Sequence, residues 1–249
     1  MAGHSKWANI KHRKGRQDAK RAKIFTKLIR EITVAAREGG GDENSNPRLR
    51  AAVQGAKSEN MPANTIERAI QKGTGELEGE SYESAIYEGY GPGGVALFVE
   101  TLTDNRNRTV SEVRHLFGKY NGSMAETGSV DWIFDQKGLV VVEKSESDEE
   151  TLMMVALEAG ADDLVEGDEE FEIYTPLQEF DVVRKALEEN EITFTRASLT
   201  RIPQNSVPIE GKTAEQLIRL LEALEDQDDV QNVYANFEMD DSELAELTA

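Results

Sequence analysis

Residues 138–175 read GLVVVEKSESDEETLMMVALEAGADDLVEGDEEFEIYT. The run Leu139–Glu143 is apolar and β-branched, as in a buried strand. A helix is expected next, over Asp148–Ala159. Two short strands follow, Asp163–Glu166 and Glu170–Tyr174, before a second helix over Leu177–Glu189 and a last strand over Ile192–Arg201. The order β-α-β-β-α-β is that of a ferredoxin-like split motif, and it makes residues 138–205 a module of their own.

Working outward, residues 84–90 and 95–102 flank Gly91-Pro92-Gly93-Gly94 and read as a hairpin. A helix is expected over about 107–119, and a strand near 130–135 with Val130, Trp132 and Phe134 on one face. Beyond the module come a helix at 213–225, with Thr213 and Gln216 as a capping box, and a strand at Val230–Glu238. These elements complete the unit begun near residue 81, so the module is expected to be inserted into a discontinuous middle domain.

The N-terminal third is helical. Ile24, Phe25, Leu28, Ile29, Ile32 and Ala36 share one arc of a helix from Lys20 to Arg37, with Gly39–Gly41 as its end. Asn46 and Pro47 open a second helix. A third runs from Asn64 to Lys72, with Glu67 completing a capping box and Gly73 as the stop. The fold class is therefore α+β: an arm with a three-helix domain (1–78), a middle α/β domain (79–137 plus 206–249) and the inserted α/β module (138–205), the latter two of ferredoxin-like character.

Charge is divided as sharply as the fold. The chain has 249 residues and a net charge of −20, yet its first 30 residues hold ten Lys and Arg against Asp18 alone. Residues 1–78 sum to +7 and residues 79–249 to −27. One end is built to meet a polyanion and the rest to repel it. Nucleic acid is the expected polyanion, because cations gain affinity by releasing counterions condensed on phosphates. Residues 1–19 lack apolar periodicity and read as an arm that is flexible until bound. His4, Lys6, Trp7, Lys11, His12, Arg13, Lys14, Arg16, Lys20, Lys23 and Lys27 are the expected contacts, the rings stacking on unpaired bases. The competing reading is a solvated basic face with Trp7 as a core anchor. Arg106 and Arg108, beside a helix start, are a second candidate contact. Their alternative, slightly preferred amid so many acids, is pairing with nearby carboxylates, with Asn107 or Thr109 as the cap.

Other chemistries are not supported. No cysteine is present, which excludes disulfides and thiol catalysis, and three histidines support no zinc site. Gly89–Gly94 lies between strands, so it is a turn and not a dinucleotide loop. Gly211-Lys212-Thr213 lacks the earlier glycine of a Walker A loop, and Pro47 stands where a calcium loop spaced from Asp42 needs glycine. Abundant carboxylates single out no acid–base pair. No apolar run reaches membrane-spanning length. The basic start also resembles an organelle transit peptide, but it is poor in serine and a retained functional arm is preferred. A non-enzymatic protein without cofactor or metal is expected.

The opening MAGHSKWANIKHRK, then KIFTKLIREI, NPRLRAAV, MPANTIERAIQKG, YEGYGPGGVA, TDNRNRT and GSVDWIF closely resemble the YebC family over residues 1–135. The resemblance implies three domains, a bacterial cytoplasmic location and no established catalytic residues. Family members are described as DNA-binding transcriptional regulators. A mitochondrial relative is described as a translational activator, and bacterial members have been associated with ribosomes and relief of stalling at proline runs. The implied partner is DNA, ribosomal RNA or the ribosome itself, without a membrane. An acidic protein-interaction module whose arm docks on its own acidic domains is the alternative of another class.

Overall fold

The computed structural model describes residues 7, 18–79, 81–167 and 169–248; the side chains of residues 18–21 also lie outside that description. Three helices come first: α1 (Asp18–Gly39), α2 (Pro47–Ser58) and α3 (Ala63–Thr74). Ile32, Ala35, Ala36, Leu49, Val53, Ala56, Ile66 and Ala69 form their core, with Phe25, Leu28 and Ile29 packed against it. Asn46 is the expected cap, its Oδ1 accepting from Leu49 N–H at 3.0 Å. Its Nδ2 also donates to the carbonyls of Ala35 and Gly40, at 2.7 and 2.9 Å, and so ties the end of α1 to the start of α2.

Gly73 does not stop α3. The helix runs through it to Gly75, whose φ of 83° is left-handed. A Cβ on Gly73 would collide with the Thr33 carbonyl and lie 2.7 Å from Ala36 Cβ, so this glycine serves the close approach of α3 to α1. The expected capping box is also absent, since Pro62 occupies the cap position.

The middle elements are β1 (Glu83–Tyr90), β2 (Ala96–Thr103), α4 (Arg106–Lys119) and β3 (Ser123–Met124). After the inserted module come β8 (Val207–Pro208), α7 (Gly211–Glu225), β9 (Val230–Ala235), β10 (Phe237–Glu238) and α8 (Asp241–Leu247). The hairpin registers from Glu83 opposite Thr103 to Tyr90 opposite Ala96, and the antiparallel sheet has the order β3-β1-β2-β9. Helices α4 and α7 pack on it and on each other over Leu97, Val99, Val113, Phe117, Leu217, Leu221 and Val233. The start of α7 has no Thr213 capping box; instead Glu243 of α8 accepts from Gly211 N–H at 2.6 Å.

Glu88 on β1 is 3% exposed. Its carboxylate accepts from the N–H groups of Gly128, Val130 and Asp131 at 2.6, 2.6 and 3.0 Å. Three donors compensate the burial of one charge. The strand expected near 130–135 is a 3₁₀ turn at Asp131–Ile133. Val130 and Phe134 are buried whereas Trp132 is 64% exposed.

Residues 132–205 form a separate compact unit from residues 2–131 with 206–249. It contains β4 (Phe134–Glu143), α5 (Glu149–Glu158), β5 (Asp163–Glu166), β6 (Glu170–Thr175), α6 (Phe180–Glu189) and β7 (Arg196–Pro203). All pairs are antiparallel in the order β5-β6-β4-β7, the ferredoxin-like arrangement. Val140, Val142, Phe171 and Ile173 meet Leu152, Ala156, Val183 and Leu187 in its core.

Gly138 sits where β4 passes Thr175 and Phe180, and an added Cβ would collide with Thr175 Oγ1 and the Phe180 ring. Gly138→Ala is expected to lower unfolding free energy by about 1–3 kcal/mol through overpacking. Urea denaturation followed by circular dichroism checks this; an unchanged midpoint would show that the close packing there is relaxed.

Candidate nucleic-acid interface

Lys23, Lys27 and Arg30 recur at spacings of four and three on α1, which aligns them on one helical face. That face meets the turn after α7, Glu225-Asp226-Gln227-Asp228-Asp229. Lys23 Nζ lies 3.2 Å from Asp226 Oδ1 and 3.1 Å from the Asp226 carbonyl. Lys27 Nζ donates to the Glu225 carbonyl at 2.8 Å. The last turn of α7 contains no basic residue. Lys23 and Lys27 thus supply, from another helix, the positive charge that a helix C-terminus favours.

Arg30 goes deeper. Its Nη1 is 2.8 Å from Asp229 Oδ1 and also donates to the Asp228 carbonyl, while the guanidinium lies 5.1 Å from the Tyr82 ring centre. The Asp229 side chain is only 1% exposed. Its Oδ2 accepts from Arg108 Nη2 at 2.7 Å, Thr109 Oγ1 at 2.6 Å and Thr103 Oγ1 at 3.1 Å. The Asp229 carbonyl accepts from Leu102 N–H at 2.8 Å. One carboxylate therefore joins α1, β2, the start of α4 and the turn before β9. Burial alone would raise its pKa, but the hydrogen bonds from Thr109 and Arg108 and the charges of Arg108 and Arg30 hold it below the ordinary value.

Arg108 also pairs with Asp104, at 2.8 Å, and its own pKa is raised by the hydrogen bonds to Asp229 and Asp104. The carboxylate-pairing alternative is the one the geometry gives for Arg108. The cap of α4 is neither Asn107 nor Thr109 but Asn105, which accepts from Arg108 N–H at 3.1 Å. Arg106 is exposed and lies near Tyr87, whose hydroxyl pKa is raised by burial and opposed by the Arg106 charge. Around this network opens a cleft of about 740 Å³, lined by both signs of charge, including Lys23, Arg108, Glu112 and Asp226.

Trp7 is 1% exposed and belongs to the core formed with Leu97, Phe117 and Leu221. Base stacking is closed to it in this conformation; it is a core anchor. His4, Lys6, Lys11, His12, Arg13, Lys14 and Arg16 lie outside the described residues, as does the Lys20 side chain. Sequence reading missed Asp229 and Thr103, and gave Thr109 only as a candidate cap of α4. A lone Thr or Asp carries no signal of a contact made over 120 residues away. On α3, Arg68 and Lys72 are exposed, four residues apart, and form no ion pair among the described residues. Among the described residues no group of His, Asp and Glu is placed to hold a metal ion, and no helix is long and apolar enough to cross a membrane.

Residues 5–76 match the model described as the TACO1/YebC protein N-terminal domain, and residues 82–237 match the TACO1/YebC second and third domain. The chain belongs to the TACO1/YebC family. A probable transcriptional regulatory protein of Geobacter sulfurreducens is 60% identical over 99% of this chain and 100% of its own length. One from Thermotoga maritima is 57% identical over 99% and 98%. The crystal structure of a conserved hypothetical protein from Aquifex aeolicus superposes with a TM-score of 0.83 at 50% identity, covering 90% of this chain and 93% of that one. The Geobacter and Thermotoga relatives of this TACO1/YebC chain are named as probable transcriptional regulatory proteins and not as enzymes, in keeping with the sequence reading.

Two outcomes follow from the geometry. Asp229→Ala strands Arg30 and Arg108 and is expected to cost about 3–5 kcal/mol. The wild-type carboxylate stabilises above the ordinary unfolded value of about 3.9 and loses that contribution as pH falls through its lower folded value. Acid titration of stability should therefore be shallower in the variant below about pH 4, and equal slopes would count against the network. Trp7→Ala should cost about 3–5 kcal/mol in thermal or urea unfolding; a change under about 0.5 kcal/mol would place the indole outside the core.

Proposed function

We propose that the protein is a non-enzymatic regulator of gene expression that binds nucleic acid through its cationic N-terminal segment. The observation that carries this is the ten-to-one excess of basic over acidic residues in the first 30, on a chain of net charge −20. His4, Lys6, Lys11, His12, Arg13, Lys14, Arg16 and Lys20 are the proposed contacts. Lys23 and Lys27 join them only by leaving their acceptors on the Glu225–Asp229 turn, and Arg108 only by leaving Asp104 and Asp229. Arg106, exposed at the start of α4, stays a proposed second contact. The names of the relatives support DNA and transcription as the target process.

A second target, ribosomal RNA, is favoured by one feature. The cationic face of α1 packs on the protein's own acidic turn, so α1 does not offer that face to a major groove. What precedes it is a basic segment with histidines interleaved, which suits irregular RNA as well as a duplex. The proposed division into an arm with a helical domain (1–78), a discontinuous middle domain (79–137 with 206–249) and an inserted domain (138–205) fits either target, as does a cytoplasmic site of action.

Reversing Lys11, Arg13, Lys14 and Arg16 to Glu is expected to weaken binding to duplex DNA and to a ribosomal RNA fragment by over about a hundredfold. It should also lower the slope of log K against log salt by roughly 3–4. Fluorescence anisotropy across a salt series reads both, and parental affinity in the variant would overturn the proposal. Crosslinking in cells separates the targets: promoter DNA alone sinks the ribosomal reading, and ribosomal RNA alone sinks the promoter reading.

A further inference from the structure

Helix α5 carries the seven uncharged residues Thr151-Leu152-Met153-Met154-Val155-Ala156-Leu157. A helix apolar on all sides is ordinarily covered on all sides. Here only one side is covered. Leu152 and Ala156 are fully buried in the core of the 132–205 unit, whereas Met153, Met154 and Leu157 are 41%, 58% and 46% exposed. Positions 153, 154 and 157 share one face of the helix. The neighbouring α6, which helps to cover the same sheet, directs Lys185 and Glu189 outward beside a single exposed apolar residue, Val182. The ferredoxin-like architecture therefore does not require an apolar outer face on α5. Of the six methionines, Met61 and Met239 are buried and Met124 partly so.

The surroundings specify the charge of what covers this face. Glu149, Glu150 and Glu158 are exposed on the same helix, which has no basic residue. Residues 132–205 hold 19 acidic against 6 basic side chains. Of those six, Lys137 pairs with Asp162, Lys144 with Glu166, and Arg184 with Asp181 and Glu188. A second copy meeting this face with its own α5 would bring acid against acid, and nucleic acid would be repelled. A cationic amphipathic helix satisfies both features: its apolar stripe covers the thioethers and Leu157, and its basic flanks meet the glutamates. We propose that the outer face of α5 is a docking surface for a basic amphipathic helix of a partner protein. The proposal is independent of the nucleic-acid reading and uses the acidic unit of the chain in place of its basic segment.

The test uses the full chain labelled with ¹³C at the methionine methyls, titrated with a synthetic amphipathic helical peptide of leucine and lysine. The Met153 and Met154 methyl signals are expected to shift while those of Met61 and Met239 stay. A version of the peptide with glutamine for lysine should bind more weakly, and Met154→Leu should retain binding. The triple variant Met153→Gln/Met154→Gln/Leu157→Gln should weaken it at least about tenfold, and Met154→Arg alone provides a second reading by charge repulsion. Binding that survives in both the triple and the arginine variants would overturn the proposal, as would shifts centred on other methionines. Sedimentation showing a wild-type dimer that the triple variant abolishes would overturn it too, by making a second copy the occupant.

Discussion

A single buried carboxylate organises the larger unit of this protein. Asp229 is almost wholly removed from water, and it stays ionised because Arg30, Arg108, Thr109 and Thr103 surround its two oxygens. Desolvating a charge costs several kcal/mol, and only a full set of donors offsets that. The donors come from α1, the end of β2 and the first turn of α4, so the contact can be satisfied in one arrangement of those elements only. Lys23 and Lys27 extend it along α1 toward the C-terminus of α7. The helical bundle is thereby held to the middle sheet largely through polar groups, with Trp7 adding an apolar anchor.

That constraint decides which cations remain for other work. From composition alone, the basic residues of the first helix look like one continuous surface for phosphate. Arg30 and Arg37 are instead held by Asp229 and by Ser81 and Tyr82; on α2, Arg48 meets Glu31 and Glu38, and Arg50 the carbonyls of Glu43 and Asn44. A charge excess thus has two destinations, internal acids and an external polyanion. The proposed external share is the segment before α1. The strongly acidic 132–205 unit lies at the other extreme of charge, and its uncovered methionine face suits a protein partner of opposite sign.

Much of this was legible in the sequence wherever a rule is local. The succession of strand-like and helix-like segments in residues 138–205 announced the βαββαβ order, because strands and helices there are short and their periods distinct. Asn46-Pro47 and the Gly91–Gly94 turn were readable for the same reason. Features set by distant partners were not. Gly73 looks like a helix stop but is demanded by the closeness of Thr33 and Ala36. Thr213 and Gln216 look like a capping box, yet Glu243, 32 residues from Gly211, takes the first amide. Val130, Trp132 and Phe134 alternate like a strand, but Glu88 gathers the amides of 128, 130 and 131 and turns the chain. Of the candidate site, the paired state of Arg108 was foreseen as an alternative, whereas its partner Asp229, 121 residues away, was not.

The division of cations between scaffold and polyanion is most directly tested by lysine acetylation footprinting, read by mass spectrometry with and without bound nucleic acid. The account predicts that nucleic acid protects Lys6, Lys11, Lys14 and Lys20. It also predicts that Lys27, already held by the Glu225 carbonyl, reacts slowly and equally in both states. Protection confined to lysines of the acidic body, or a segment before α1 whose reactivity is indifferent to nucleic acid, would contradict it.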